Sequence, residues 1–152
     1  MRTENIFFVR KMELTSMYHQ SQALKFDIPL FLSYIQAGFP SPADDYKEKS
    51  LDLNEHLIKH PAATFFVKIK DDSMIKAGIF HGDLLMVDRS LKPCDKKVVI
   101  ALHEGGMLVR RFRKIKGKIY LMSESPEYRH VEVSEDMNIE ILGVATTVIH
   151  PV

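Results

Sequence analysis

Past residue 63 the chain is cut into short apolar runs by glycine-bearing turns, and that punctuation leaves room for little besides a sheet of antiparallel strands. Phe65, Val67 and Ile69 alternate with Phe66, Lys68 and Lys70, the two-residue period of a strand with one buried face. Residues 84–87 and 98–102 are unbroken apolar runs, as expected for strands covered on both sides. Glu104-Gly105-Gly106 turns the chain into a strand over 107–113, and Lys116-Gly117 turns it again into 118–122. A last apolar run covers 139–149. About six or seven short strands with little helix predict a mainly β fold. Ahead of them, Asp52 is placed to cap a short helix over 53–60, with Leu53, Leu57 and Ile58 on one face and Pro61 ending it.

Residues 1–37 have a different texture. Gln, Ser and His are interspersed with scattered apolar residues, and neither strand nor helix periodicity is sustained. Asp27-Ile28-Pro29 is a break, because the residue before proline is pushed out of the helical region. Ala37-Gly38-Phe39-Pro40-Ser41-Pro42 resists regular structure and leaves an extended backbone, which describes a linker and equally a protease substrate. This N-terminal stretch is expected to lack a fold of its own. It is too short for a three-helix DNA-binding domain and shows no helix-turn-helix pattern.

With 152 residues and 45% hydrophobic content, one modest domain is expected. A net charge of +1 argues against a dedicated, strongly basic nucleic-acid binder. The longest apolar run near the N-terminus, residues 6–9, is too short for a signal-peptide core or a membrane span. A single cysteine, Cys94, rules out an internal disulfide and suits a reducing cytosol. The expectation is a soluble cytoplasmic protein with no membrane partner.

Residues 72–88 carry the chemistry. A polar Asp72-Ser73 pair stands between hydrophobic runs, and Gly82-Asp83 then leads into the apolar strand 84–87. That order predicts a Ser73 hydroxyl at the mouth of a β-rich core, where a nucleophile is reachable and water is limited. The pattern Ser-Met-x-x-x-x-Ile-x-x-Gly-Asp-x-x-x-Val-Asp resembles the signature of the LexA/UmuD group of self-cleaving Ser/Lys proteases, peptidase family S24. The stretches 39–46 and 58–68 extend the resemblance from Pro29 to Val152 and fit the UmuD branch, whose members serve error-prone bacterial DNA polymerases. The resemblance implies self-cleavage at Ala37-Gly38, with Ser73 as nucleophile and backbone N–H groups at Asp72 and Ser73 as the oxyanion hole. Cutting there would divide the chain into an arm, 1–37, and a β domain, 38–152. The resemblance also implies a homodimer, a UmuC-like Y-family polymerase partner, a RecA filament that prompts cleavage, and no cofactor. Small residues on both sides of Ala37-Gly38 let a nucleophile approach closely, which agrees with that assignment.

A serine nucleophile needs a base. In this family the base is a neutral lysine on the strand after the Gly-containing hairpin, its pKa lowered by burial. The matching position in Leu108-Val109-Arg110-Arg111-Phe112 is Arg110, which alternation puts on the face of Leu108 and Phe112. A guanidinium is neutral for about one part in a million at pH 7. Used as a general base it would lose roughly 8 kcal/mol, or six decades of rate. Lys114 lies roughly 13 Å along the same face, and Lys76 follows Ser73 by a single turn. Either could take over only by reaching hydrogen-bond distance.

Three readings follow: an accessory subunit of an error-prone polymerase with impaired self-cleavage, an active self-cleaving peptidase, and a LexA- or phage-type repressor lacking its DNA-binding domain. Residues 105–118 hold six cations and no acid. A nucleic-acid groove with Phe112 and Tyr120 as stacking surfaces is one explanation. A solvated hairpin whose acids, Glu124, Glu127 and Glu132, lie on adjacent strands is favoured by the near-neutral total. His56 and His60 have helical i,i+4 spacing but no evident third ligand, so no metal is expected. Cys94, beside Pro93, is expected to be a buried or half-buried thiol.

Overall fold

The computed structural model describes residues 28–31 and 48–152. Two units divide them: strands β1 (Ile28–Phe31) and β2 (Glu48–Leu51) with helix α1 (Leu53–Leu57) belong to one, and residues 60–152 form the other.

In the first unit β1 and β2 pair antiparallel, with Pro29 opposite Ser50. This pair was not expected, because Pro29 reads as a break. A two-stranded ribbon has an outer edge on each strand, where a residue without an N–H is tolerated. Asp52 caps α1 as expected, its carboxylate accepting from the Asn54 N–H at 2.8 Å. The helix ends at Leu57, short of residue 60. Ile58 is already extended, and Pro61 opens a separate 3-10 turn, Pro61–Ala63, at the position where its missing N–H is harmless.

The second unit is mainly β, as expected. Seven strands form one antiparallel sheet in the order β3-β4-β9-β5-β6-β7-β8. They are β3 (Thr64–Lys68), β4 (Leu84–Asp88), β5 (Val98–His103), β6 (Gly106–Ile115), β7 (Lys118–Met122), β8 (Val131–Val133) and β9 (Ile139–Ile149). Only β8 had no sequence signal, since three residues are too few to show a period. Two-residue turns close the β5–β6 and β6–β7 hairpins, with Glu104 and Gly105 at φ 50° and 78°, Lys116 and Gly117 at 49° and 81°. Both central residues left-handed is the geometry that matches strand twist, and a glycine second carries it without strain. The first of these turns sets the register that puts Arg110 opposite Val99.

The unbroken apolar run of β5 is covered on both sides. Ile100 packs with Ile69, Met74, Ile79, Leu85 and Val87, whereas Val99 and Ala101 pack with Phe112, Leu121, Ile139 and Val144. Cys94, in contrast, is exposed. It sits between β4 and β5 in the loop 89–97, most of whose residues face solvent, so proximity to proline did not carry it inward.

Candidate active site around Ser73

Ser73 sits in the connection between β3 and β4, and local bonds shape that connection. The Asp71 carboxylate accepts from the Ser73 N–H at 2.9 Å, the short-range turn that Asp favours. Asp72 Oδ1 accepts from the His81 N–H at 3.0 Å, and the His81 ring nitrogen Nδ1 lies 2.5 Å from the Lys70 carbonyl. Asp83, buried, accepts from the Phe80 N–H at 2.8 Å. A 3-10 turn, Ile75–Ala77, ends at left-handed Gly78 (φ 73°). Met74 and Ile79 anchor the loop in the core, with 1% and 4% of their surface exposed.

Bonds to the chain beyond β7 then hold Ser73 in place. Its carbonyl accepts from the Glu124 N–H and from the Ser123 hydroxyl, both at 2.8 Å. The Lys76 N–H donates to the Glu124 carbonyl at 3.0 Å. Ser123 is itself buried and accepts from the Ser125 N–H at 3.1 Å. None of these partners was anticipated. The signal present was the Ser-Glu-Ser triplet that ends the apolar run of β7, a polar cluster with no turn glycine.

Arg110, on β6, meets Ser73 from the side. Its Nη1 donates to Ser73 Oγ at 2.9 Å and to its neighbour's carbonyl, Val109 O, at 2.7 Å. The guanidinium carbon lies 6.0 Å from the Tyr128 ring centroid. Burial pulls the Arg110 pKa below its ordinary value, while Asp71 and Tyr128 push the other way. It remains a cation, since arginine does not deprotonate in proteins.

One expectation needs correction. Ser73 is not open to a cleft: 2% of its surface is exposed, and its hydroxyl is hydrogen-bonded to Arg110. The Ser73 N–H is turned to Asp71, so as an oxyanion donor it would first have to be released. Ala37 and Gly38 lie outside the described residues. Lys76 and Lys114 both face solvent.

The direction of the Arg110–Ser73 bond decides what the pair can do. A serine nucleophile must hand its proton to an acceptor within about 3 Å. A guanidinium has five donors and no acceptor. Ser73 Oγ therefore accepts from the residue that stands where a base would have to be.

Three other cations of the basic hairpin are paired with acids. Arg111 Nε donates to Glu124, Arg113 Nε to Asp95 at 2.9 Å, and Lys118 Nζ to Glu132 at 2.6 Å. Two of the three anticipated acids take part, and Asp95 was missed because it lies far off in sequence. No group of three or more His, Cys, Asp or Glu side chains is arranged to hold a metal ion among the described residues. His60 instead bonds Asp88, Nδ1 to Oδ2, at 2.6 Å. Among the described residues no helix is long and apolar enough to cross a membrane.

Residues 29–146 match the family model described as Peptidase S24-like. The chain is 47% identical over 123 residues to the protein ImpA of Salmonella typhimurium, an alignment that covers 80% of this chain and 83% of ImpA. It is 44% identical to the protein SamA of Salmonella typhimurium strain LT2, over 80% of this chain and 84% of SamA. To the protein MucA of Escherichia coli it is 36% identical, over 82% and 87%.

Proposed function

The chain belongs to the peptidase S24 family, and from that premise we propose that it is a UmuD-like accessory subunit of an error-prone translesion DNA polymerase in SOS mutagenesis, its own peptide-cleaving chemistry blocked at Arg110. Similarity to ImpA, SamA and MucA along most of their lengths supports the accessory role over the repressor reading. In this reading the protein is a cytoplasmic homodimer, its partner is a UmuC-like polymerase subunit, and Ala37-Gly38 is the bond whose RecA-prompted cleavage activates it.

The observation that carries the proposal is the hydrogen bond from Arg110 to Ser73 at 2.9 Å. Arg110 occupies the place of the family's lysine and reaches the serine, but it can only donate. The bond at Ala37-Gly38 is then cut chiefly in trans, by a relative whose lysine is intact.

Incubating the purified chain and its Arg110→Lys variant from pH 7 to pH 10, with cleavage read on a gel, tests this. The chain as it stands should stay intact. The variant should be cut at Ala37-Gly38, faster as pH rises through the lysine pKa, because only neutral lysine accepts a proton. Adding Ser73→Ala to that variant should abolish the cut. A variant that stays whole at pH 10, where a lysine-bearing relative is processed, would remove Arg110 from the base position.

A further inference from the structure

The connection from β4 to β5 has to pass over β9, which lies between them in the sheet. The register puts both Asp88 and Val99 opposite Val144, so residues 89–97 make that crossing close to Val144. A groove of about 460 Å³ opens there, walled by Leu91, Lys92, Cys94 and Lys97 of the loop and floored by Val144 and Ala145 of β9. Backbone bonds fix the loop against β6. The Lys96 N–H donates to the Phe112 carbonyl and the Phe112 N–H to the Lys97 carbonyl, both at 2.8 Å. The loop has four cations and one acid, Asp95. Asp95 already accepts from Arg113 Nε at 2.9 Å and from the Lys114 N–H at 2.8 Å. Arg89 lies over the Phe65 ring, 4.6 Å from its centroid. That leaves Lys92, Lys96 and Lys97, all exposed and without an ion pair among the described residues.

We propose that this groove docks an acidic segment of a partner protein, with carboxylates on Lys92 and Lys97 and one aliphatic side chain between Leu91 and Val144. Charge complementarity selects the acids, because two of the unpaired lysines stand on the walls of the groove itself. The apolar floor selects the anchor. A cavity of about 150 Å³ already holds a benzene ring, so this groove has room for a leucine side chain. A loop already fixed by backbone bonds loses little freedom when a partner binds. A single-stranded nucleic acid fits less well, since it needs aromatic rings to stack on. No aromatic residue lines the groove, and Phe112 beside it is only 5% exposed. The groove shares no residue with the Ser73–Arg110 site, so its test is independent of the blocked-protease reading.

The probe is a fluorescein-labelled peptide, Asp-Glu-Leu-Glu-Asp, titrated into the full chain and read by anisotropy. A version with serine in place of leucine should bind roughly tenfold more weakly, the loss of one buried aliphatic side chain. Lys92→Glu and Lys97→Glu should each weaken the leucine peptide roughly fivefold, as an exposed attraction becomes a repulsion. Lys68→Glu makes the same change in net charge on the edge strand β3 and should leave binding within error. Bound peptide should also slow maleimide alkylation of Cys94, the only cysteine in the chain and an exposed one. The proposal is overturned by no binding, by equal binding of the serine version, or by an unprotected Cys94. An equal loss from Lys68→Glu would reduce the effect to net charge and overturn it too. Displacement of the peptide by an equimolar twelve-residue oligothymidylate would assign the groove to nucleic acid instead.

Discussion

Arg110 and Arg111 are neighbours on one strand, yet the two faces of β6 treat them in opposite ways. Arg111 gives Nε to the Glu124 carboxylate and Nη1 to the Lys96 carbonyl. Arg110, turned the other way, gives Nη1 to an uncharged hydroxyl, and its Nε has no hydrogen-bond partner among the described residues. A paired guanidinium is part of the scaffold. A half-buried guanidinium without a carboxylate is held by its packing and its two hydrogen bonds through Nη1.

The widest separation between the two faces should appear in cleavage. Arg110→Lys is expected to raise self-cleavage by up to roughly six decades, the deficit of a guanidinium as base. Arg111→Lys, on the other face, should leave the chain intact on the same gel. Cleavage in both variants, or in neither, would break the comparison.

Stability should separate the same two residues with opposite sign. Arg111→Met strands the half-buried Glu124 carboxylate and should lower unfolding stability by about 1–3 kcal/mol in a denaturant titration. Arg110→Met removes an under-satisfied cation and should be neutral, or stabilise by up to about 1 kcal/mol. A large loss from Arg110→Met would mean that the site is structural after all.

A third charge, on β4, sharpens the contrast. Burial opposes ionisation of Asp88, but hydrogen bonds from Ser90 and His60 overcome it and hold its pKa below the ordinary carboxylate value. A group depressed on folding stabilises above its unfolded pKa and loses that contribution as pH falls through the folded one. The melting temperature should therefore drop on the acid side below about pH 4. Asp88→Asn should flatten that limb, and an unchanged acid limb would count against the pairing.

The smallest effect belongs to the solvent-facing pair Arg113–Asp95. Asp95→Asn should leave the melting temperature within error at about 0.15 M salt, because exposed ion pairs are screened and entropically costly. A clear loss would show that the outer face of β6 is more than a solvated surface.

Much of this architecture is local, and local order is what a sequence displays. The alternation in 65–70, the doubly apolar run of β5 and the turns at Glu104-Gly105 and Lys116-Gly117 are read from neighbours a few residues apart. Because the side-chain period of a strand is two, alternation also places Arg110 on the face of Leu108 and Phe112. That Arg110 cannot serve as a base follows from the sequence as well, since a guanidinium lacks an acceptor wherever it sits. Only the tertiary structure decided that Ser73 would be covered and that Ser123 and Glu124 would hold its carbonyl. It also decided that Arg111 would find Glu124 while Arg110 found no carboxylate among the described residues. These outcomes depend on which groups the folded sheet brings within about 3 Å across more than ten residues of chain, and hydrogen bonds and ion pairs are made or missed at that distance.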